Sequence, residues 1–596
     1  MIFRRYVRGM AAVGALAIAA CNSLDIENPN NPDNKKILSD PNAVEAVGAG
    51  ALRVFANAWS TNRGAGPLTT MARTFSASWN NDHMRFYSSV DNPGDPNTTG
   101  YTPTASWYRQ NEGYWANDAA RPERIEIESF WDFSEDECCV GNTWPGVYAG
   151  LSSANDILRA IRTGGLEVRN PEDTKRLEII TQLGRGLALM TIALNYDKGY
   201  VIDEKLDATQ PGAFDTLTYR TRKVMRDAAI ASFQEVIDSA TKYNDFATEA
   251  PWMNGRSYTA NQIRRLASSL IAITYAYYPR DAAEATSEVN WGTVATYAAN
   301  GMSAAGATPF DFMAVGDGCA TWCPDHLVWF DEVGSGRVNT RVARLLDPAT
   351  QTDPWPLAGN PQPNSLDKRL GNGTFGDGTL GGGSTTVKKD AGGGTDFAWA
   401  PRAIFRPARG AYHQSNIALI RYDETKVEGS DGIVTGRGPW PLFTATQSDL
   451  VWAEALLRRN AAGDAALAAT LINKTRVTRG GLPPATIADG VGLVTDGPCM
   501  STGVTSLNGS PCSLWAKLLY ENEVELLGVG PAPYYVQRRL PFISTCGNTA
   551  PCPGRHVAGL LAGTPREMPV PVKELDIKGE AAYTWGGLGQ PAKSAP

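Results

Sequence analysis

Apolar side chains recur every three or four positions over residues 43–59 (AVEAVGAGALRVFANAW), a spacing that gathers them on one side of a helix and predicts an amphipathic helix there. The same period returns over 143–161 (TWPGVYAGLSSANDILRAI), 174–200, 222–240, 260–278 and 290–305. The second of these runs ends in a glycine-containing turn. Residues 448–476 hold two further helical stretches, with Asn460-Ala-Ala-Gly463 as the turn between them. Ala and Gly fill many close-packing positions, which lets antiparallel partners approach as in stacked helix-turn-helix repeats of about 34 residues. The predicted fold is mainly α, built of tetratricopeptide-like helix pairs joined by long irregular loops.

Two segments break the pattern. Between Trp79 and Trp115 helical periodicity vanishes and aromatic residues crowd to more than twice the chain average of 9 %. Residues 308–401 are rich in Gly, Pro and Asn, including GGGS and GGG, and a loop that long within a globular chain is functional or disordered. These breaks divide the mature chain into an N-terminal helical-repeat part (43–306), a Gly/Pro-rich loop region (307–401) and a C-terminal part (402–596).

The first residues carry a different pattern. Arg4, Arg5 and Arg8 precede an apolar run from Met10 to Ala20, too short to span a bilayer but suited to a secretory signal. Ile18-Ala19-Ala20-Cys21 is similar to the lipobox of bacterial lipoproteins. Residues 1–20 are therefore expected to be removed and Cys21 acylated, which anchors the chain to a membrane. Residues 21–42, broken by Pro29 and Pro32, read as a flexible tether. No second apolar run of about 18 residues stands out, so the mature chain is not expected to span a membrane.

The formal net charge is −7, and removal of the three leader arginines makes it more negative still. Nucleic acid is thereby excluded as a partner, since its binders need a basic face. Apart from Cys21, eight cysteines fall in four close pairs: Cys138/Cys139, Cys319/Cys323, Cys499/Cys512 and Cys546/Cys552. In an exported chain these are disulfide candidates, with local pairing the simplest scheme and connectivity left open. The adjacent Cys138 and Cys139 either bridge each other or bridge outward. Cys319-x3-Cys323 near His326 lacks a second ligand pair, and the four histidines are scattered, so neither a metal site nor a cofactor is predicted.

A sugar ring is apolar on its C–H face and polar at its edge, so a capture site needs aromatic platforms rimmed by polar groups. Residues 78–87 (SWNNDHMRFY) supply Trp79 as platform with Asn81, Asp82, His83 and Arg85 as edge partners. Trp107, Trp322 and Trp329 are further ligand candidates, each of which could equally pack a core. No Gly-x-Ser-x-Gly elbow accompanies a Ser/His/Asp set, and acid pairs such as Glu135 and Glu137 are common on solvated faces, so no catalytic residues are assigned. Glu521, Glu523 and Glu525 are expected to find counter-charges in Arg538 and Arg539.

Four stretches together resemble the SusD/RagB family of outer-membrane lipoproteins. CNSLDIENPNNPD resembles the family's lipidated opening, and TWPGVYAGLSSANDIL its Trp-x3-Tyr helix with a later Asn, here Trp144, Tyr148 and Asn155. DLVWAEALLRRN through INKTRVTRGGL looks like its Ala-Glu-Ala helix pair, and YENEVELLGVGPAPYYVQRR with REMPVPVKELDI like its C-terminal end. Val529-Gly530-Pro531-Ala532 stands where the family has Glu-Gly-x-Arg, and the cysteine pairs have no family counterpart. The resemblance implies an all-α, non-enzymatic protein on the outer face of the outer membrane. It would capture a poly- or oligosaccharide, or another oligomeric nutrient, and pass it to a SusC-like TonB-dependent transporter. The alternative is a helical-repeat lipoprotein scaffold that holds another protein.

Overall fold

Side-chain caps mark where the helices begin. The computed structural model describes residues 39–60, 68–69, 72–77, 143–206, 210, 212–253, 255–317, 336–351, 361–372, 394–399, 415–419, 421, 437–541, 560, 566–568 and 570–580. Helix α1 spans Pro41–Ser60, α2 Thr143–Arg162, α3 Pro171–Asn195, α4 Arg222–Lys242 and α5 Ala260–Tyr277. Asn170 opens α3 by accepting from the Asp173 N–H at 2.8 Å, with Pro171 at the first position. Thr259 and Gln262 form a reciprocal capping box on α5. Each of these helices packs on its chain neighbours, α1 on α2, α2 on α3, α3 on α4 and α4 on α5, as stacked repeats require. Gly186 on α3 faces Phe233 on α4 so closely that a Cβ would lie 2.6 Å from the ring, which is why that crossing takes a glycine.

The stack continues through short α6 (Ala282–Ser287) and α7 (Trp291–Ala299) to the pair α9 (Ala445–Arg459) and α10 (Asp464–Arg476); α8 is Thr340–Leu346. Asn460, left-handed at φ 49°, ends α9, and Gly463 at φ 87° opens α10, the turn expected from the sequence. Then come α11 (Leu514–Glu525), α12 (Ala532–Arg538) and α13 (Val572–Lys578). Eight short strands, β1 (Phe75–Ala77), β2 (Lys198–Gly199), β3 (Arg220–Thr221), β4 (Phe312–Asp317), β5 (Gly336–Val338), β6 (Phe397–Trp399), β7 (Ile417–Leu419) and β8 (Arg437–Phe443), make four two-stranded antiparallel sheets among the described residues, so the described architecture is mainly α. The longest ladder pairs β4 (Phe312–Asp317) with β8 (Arg437–Phe443), whose Pro439 and Pro441 are tolerable in a sheet of two strands.

Helix α3 is long and apolar enough to cross a membrane, a run the sequence reading passed over, but most of that window is buried as the central core helix. It also stops five residues short of the expected end at Tyr200. The carbonyls of residues 193 to 196 are bound from outside: Ala193 and Tyr196 by Arg280, Leu194 by Arg538, and Asn195 by the Met568 N–H. With its last carbonyls satisfied, the chain leaves the helix at no hydrogen-bonding cost. Residues 198–199 (β2) then pair with 220–221 (β3).

The expected partners of the Glu-rich helix require correction. Arg538 donates to the backbone carbonyls of Leu194, Tyr277 and Arg566, and Arg539 pairs with Glu454. The counter-charges of α11 come from elsewhere. Arg369 donates to Glu521 at 2.7 Å, to Glu525 at 2.9 Å and to Asp367 at 2.7 Å. Arg341 lies 2.5 Å from Glu523, while Arg421 and Arg479 each lie 2.9 Å from Glu525. Glutamates at 521 and 525 are one helical turn apart and share Arg369; Glu523 points elsewhere on the helix and takes a different arginine. Arg538 and Arg539, at the end of α12, are taken up by those carbonyls and by Glu454 instead. In the same part of the fold Cys499 and Cys512 are disulfide-bonded, with Cα atoms 5.4 Å apart.

Candidate functional site

Along α2, Trp144, Tyr148, Ser152, Asn155 and Arg159 follow one another in steps of four, four, three and four, a single stripe down the helix. That stripe faces an extended segment, and its polar members fasten it. The Tyr200 N–H donates to the Tyr148 hydroxyl at 2.6 Å, Asn155 Nδ2 donates to the Ile202 carbonyl at 2.9 Å, and Arg159 Nε to the Glu204 carbonyl at 3.1 Å. From Asn155 to Arg159 is about one helical turn, close to the rise of the two extended residues it spans. Gly199 is required where the segment starts, because a Cβ there would lie 2.6 Å from Ile192 and 2.7 Å from the Tyr148 hydroxyl oxygen.

Helix α13 supplies the third wall. Glu574 accepts from the Tyr200 hydroxyl at 2.9 Å, and Lys578 Nζ donates to the carbonyls of Phe214 and Leu217, 3.2 Å each. Lys198 pairs with Glu580 and lies 4.4 Å above the Tyr219 ring. Between the three walls is a pocket of about 470 Å³. Its floor is aromatic: Trp144 and Tyr148 have ring centroids 4.8 Å apart, and behind them Tyr200 stacks on Tyr219 at 4.6 Å. Its rim is apolar and open, with Phe214 51 % and Ile577 77 % exposed.

Burial, the largest influence, pushes the hydroxyls of Tyr148, Tyr200 and Tyr219 well above the ordinary tyrosine range, so all three stay neutral. Asp156 and Arg159 pair across 2.7 Å. Asn155, 2 % exposed, has no partner for Oδ1, and its orientation is fixed because Nδ2 is the atom that meets the Ile202 carbonyl. Among the described residues no three His, Cys, Asp or Glu side chains gather as metal ligands.

The residues singled out from the sequence as ligand candidates, Trp79, Asn81, Asp82, His83, Arg85, Trp107, Trp322 and Trp329, lie outside the described residues, as do Cys21, Cys138, Cys139, Cys319, Cys323, Cys546 and Cys552. The pocket instead draws on Trp144, Tyr148 and Asn155, which sequence reasoning noted only for a resemblance. Their single-stripe spacing with Arg159 was the available signal. Tyr200, Glu574 and Lys578 gave none, since Tyr200 and Glu574 meet across 374 residues of chain.

Comparison with solved structures places this architecture. A SusD homolog from Bacteroides thetaiotaomicron VPI-5482 matches 93 % of this chain and 98 % of its own length, with a TM-score of 0.52 at 12 % identity. The fold is SusD-like. A SusD-like protein from Bacteroides fragilis NCTC 9343 matches 84 % of this chain and 86 % of its own, with a TM-score of 0.50 at 13 % identity. At such identities the likeness is one of fold. No protein-family model matches the chain, and no curated protein matches it in sequence. Within the SusD-like fold, the pocket lies where the helix carrying the Trp-x3-Tyr motif meets the Pro-Val-Pro-Val-Lys-Glu-Leu end of the chain.

Proposed function

We propose that this chain is a non-enzymatic capture protein, anchored to the outer membrane through lipidated Cys21 and facing outward, that takes up a glycan or other oligomeric nutrient and delivers it to a SusC-like TonB-dependent transporter. The observation that carries the reading is an aromatic-floored pocket of sugar-binding size, with Asn155, Asp156, Arg159 and Glu574 among its walls, within a SusD-like fold. The lipobox-like leader and the proline-broken tether support the anchored location. The aromatic segment from Trp79 to Trp115 would extend the same chemistry.

Two measurements test this. Purification of the full chain from its native membrane in mild detergent is expected to bring a large β-barrel at near-equal stoichiometry; isolation with soluble partners alone would favour the scaffold alternative. In native gels cast with polysaccharide, the chain is expected to be retarded, and Phe214→Ala, which removes an exposed ring at the pocket rim, to lower that retardation several-fold. Release of new reducing ends would overturn the non-enzymatic reading.

A further inference from the structure

Resting on the capture reading, the hydrogen bonds around the pocket bear on the chemistry of the cargo. The cations and the amide donor that line it are committed to the protein, whereas the Ser152 hydroxyl and the Trp144 indole N–H stay available. Arg159 is held by the Glu204 carbonyl and Asp156, Lys578 by the carbonyls of Phe214 and Leu217, Asn155 Nδ2 by Ile202, and the Tyr200 hydroxyl by Glu574. The acceptors are not. Asn155 Oδ1 is buried without a partner, and the Glu574 carboxylate, with room for about four donors, accepts one from Tyr200.

A buried acceptor left unpaired carries an unrecovered desolvation cost, which a bound group bearing an N–H or O–H removes. A carboxylate or sulfate has less to gain there, since it supplies no donor to the free acceptors. It would lose its own hydration, face Glu574 and Asp156, and find Arg159 and Lys578 already engaged. The chain as a whole, at formal net charge −7, adds to the repulsion of polyanions.

We infer that this pocket selects donor-presenting cargo, neutral polyhydroxyl or amine-bearing sugar units whose apolar face rests on Trp144 and Tyr148, and discriminates against uronate and sulfated sugars. Asn155 Oδ1 and Glu574 are the residues that set the selection. The floor accepts a flat C–H face, and the two acceptors at its edge read the equatorial hydroxyls or amine.

The test is an oligosaccharide array presenting neutral hexose, N-acetylhexosamine, glucosamine, uronate and sulfated oligomers to the full detergent-purified chain. Retention of neutral or amino oligomers at least tenfold above uronate and sulfated ones, lowered by Phe214→Ala, is the expected result. Glu574→Gln keeps an acceptor for Tyr200, removes the charge and adds a donor, so it should shrink that ratio several-fold. A thermal melt of the variant checks that it folds, and the wild-type ratio decides the matter without it. Equal or better retention of uronate or sulfated oligomers, itself sensitive to Phe214→Ala, would overturn the selection while leaving capture intact. Neutral retention indifferent to Phe214→Ala would also overturn it, by placing the binding elsewhere. Retention of no oligomer of any class would remove the capture reading, and this inference with it.

Discussion

Two polar regions of this molecule are built from the same residue types and end in opposite states. Around α11, every buried carboxylate meets at least one guanidinium: Glu521 and Asp367 meet Arg369, Glu523 meets Arg341, and Glu525 meets Arg369, Arg421 and Arg479. Against α2, the amide and cationic donors are spent on backbone carbonyls and on Asp156, while Asn155 Oδ1 and part of the Glu574 carboxylate are left without a partner. The first arrangement knits distant segments into one body. The second holds a wall in place and leaves acceptor capacity unused. Charge alone does not mark a functional site; what matters is whether the neighbours use it up.

The comparison is broken most severely at Arg369. Arg369→Ala would deprive buried Asp367 and Glu521 of their nearest guanidinium, leaving Glu525 to Arg421 and Arg479, and a loss of about 3 to 5 kcal/mol is expected in urea unfolding. Removing the staple beside the lattice, with Cys499 and Cys512 both changed to Ser, should cost about 3 kcal/mol, the chain entropy of a loop of thirteen residues. Neither change touches the pocket, so oligosaccharide retention by the folded fraction should survive both.

Acid sharpens the contrast. Burial alone would raise the Glu454 carboxyl, but Arg539 and Arg458 outweigh it and hold it at about 2, against an ordinary value of 4.5. A carboxyl depressed in the folded state adds stability that is complete above its unfolded value and lost as pH falls toward its folded one. Unfolding midpoints should therefore drop between about pH 4.5 and 2, and Glu454→Gln should flatten that limb while lowering stability at pH 7. On the pocket side the effects are smaller. Tyr148→Phe deprives the buried Tyr200 N–H of its acceptor and is expected to cost about 1 to 2 kcal/mol in the same unfolding assay, loosening the wall and weakening retention.

The helices were legible because periodicity and caps agree along the chain: the expected spans 222–240 and 260–278 differ from α4 and α5 by two residues or fewer. Boundaries set by distant contacts were not. Nothing near Tyr200 announces that Arg280, Arg538 and Met568 would end α3 at Asn195. The lattice was misread for a related reason. Arg538 and Arg539 stood out as a pair near three glutamates, whereas Arg369 and Arg421 come from stretches without any period, and only folding brings them to α11. The candidate site was half legible. The α2 stripe is written in the spacing of Trp144, Tyr148, Asn155 and Arg159, but its opposite wall is contributed from the far end of the sequence.

That last wall has a temporal consequence. Tyr200 and Glu574 close the pocket across 374 residues, and Lys578 ties down the rim behind Phe214 and Leu217. A nascent chain emerging N-terminus first from the ribosome can stack α2 to α5 early, yet has no closed pocket until residues 574–578 have followed.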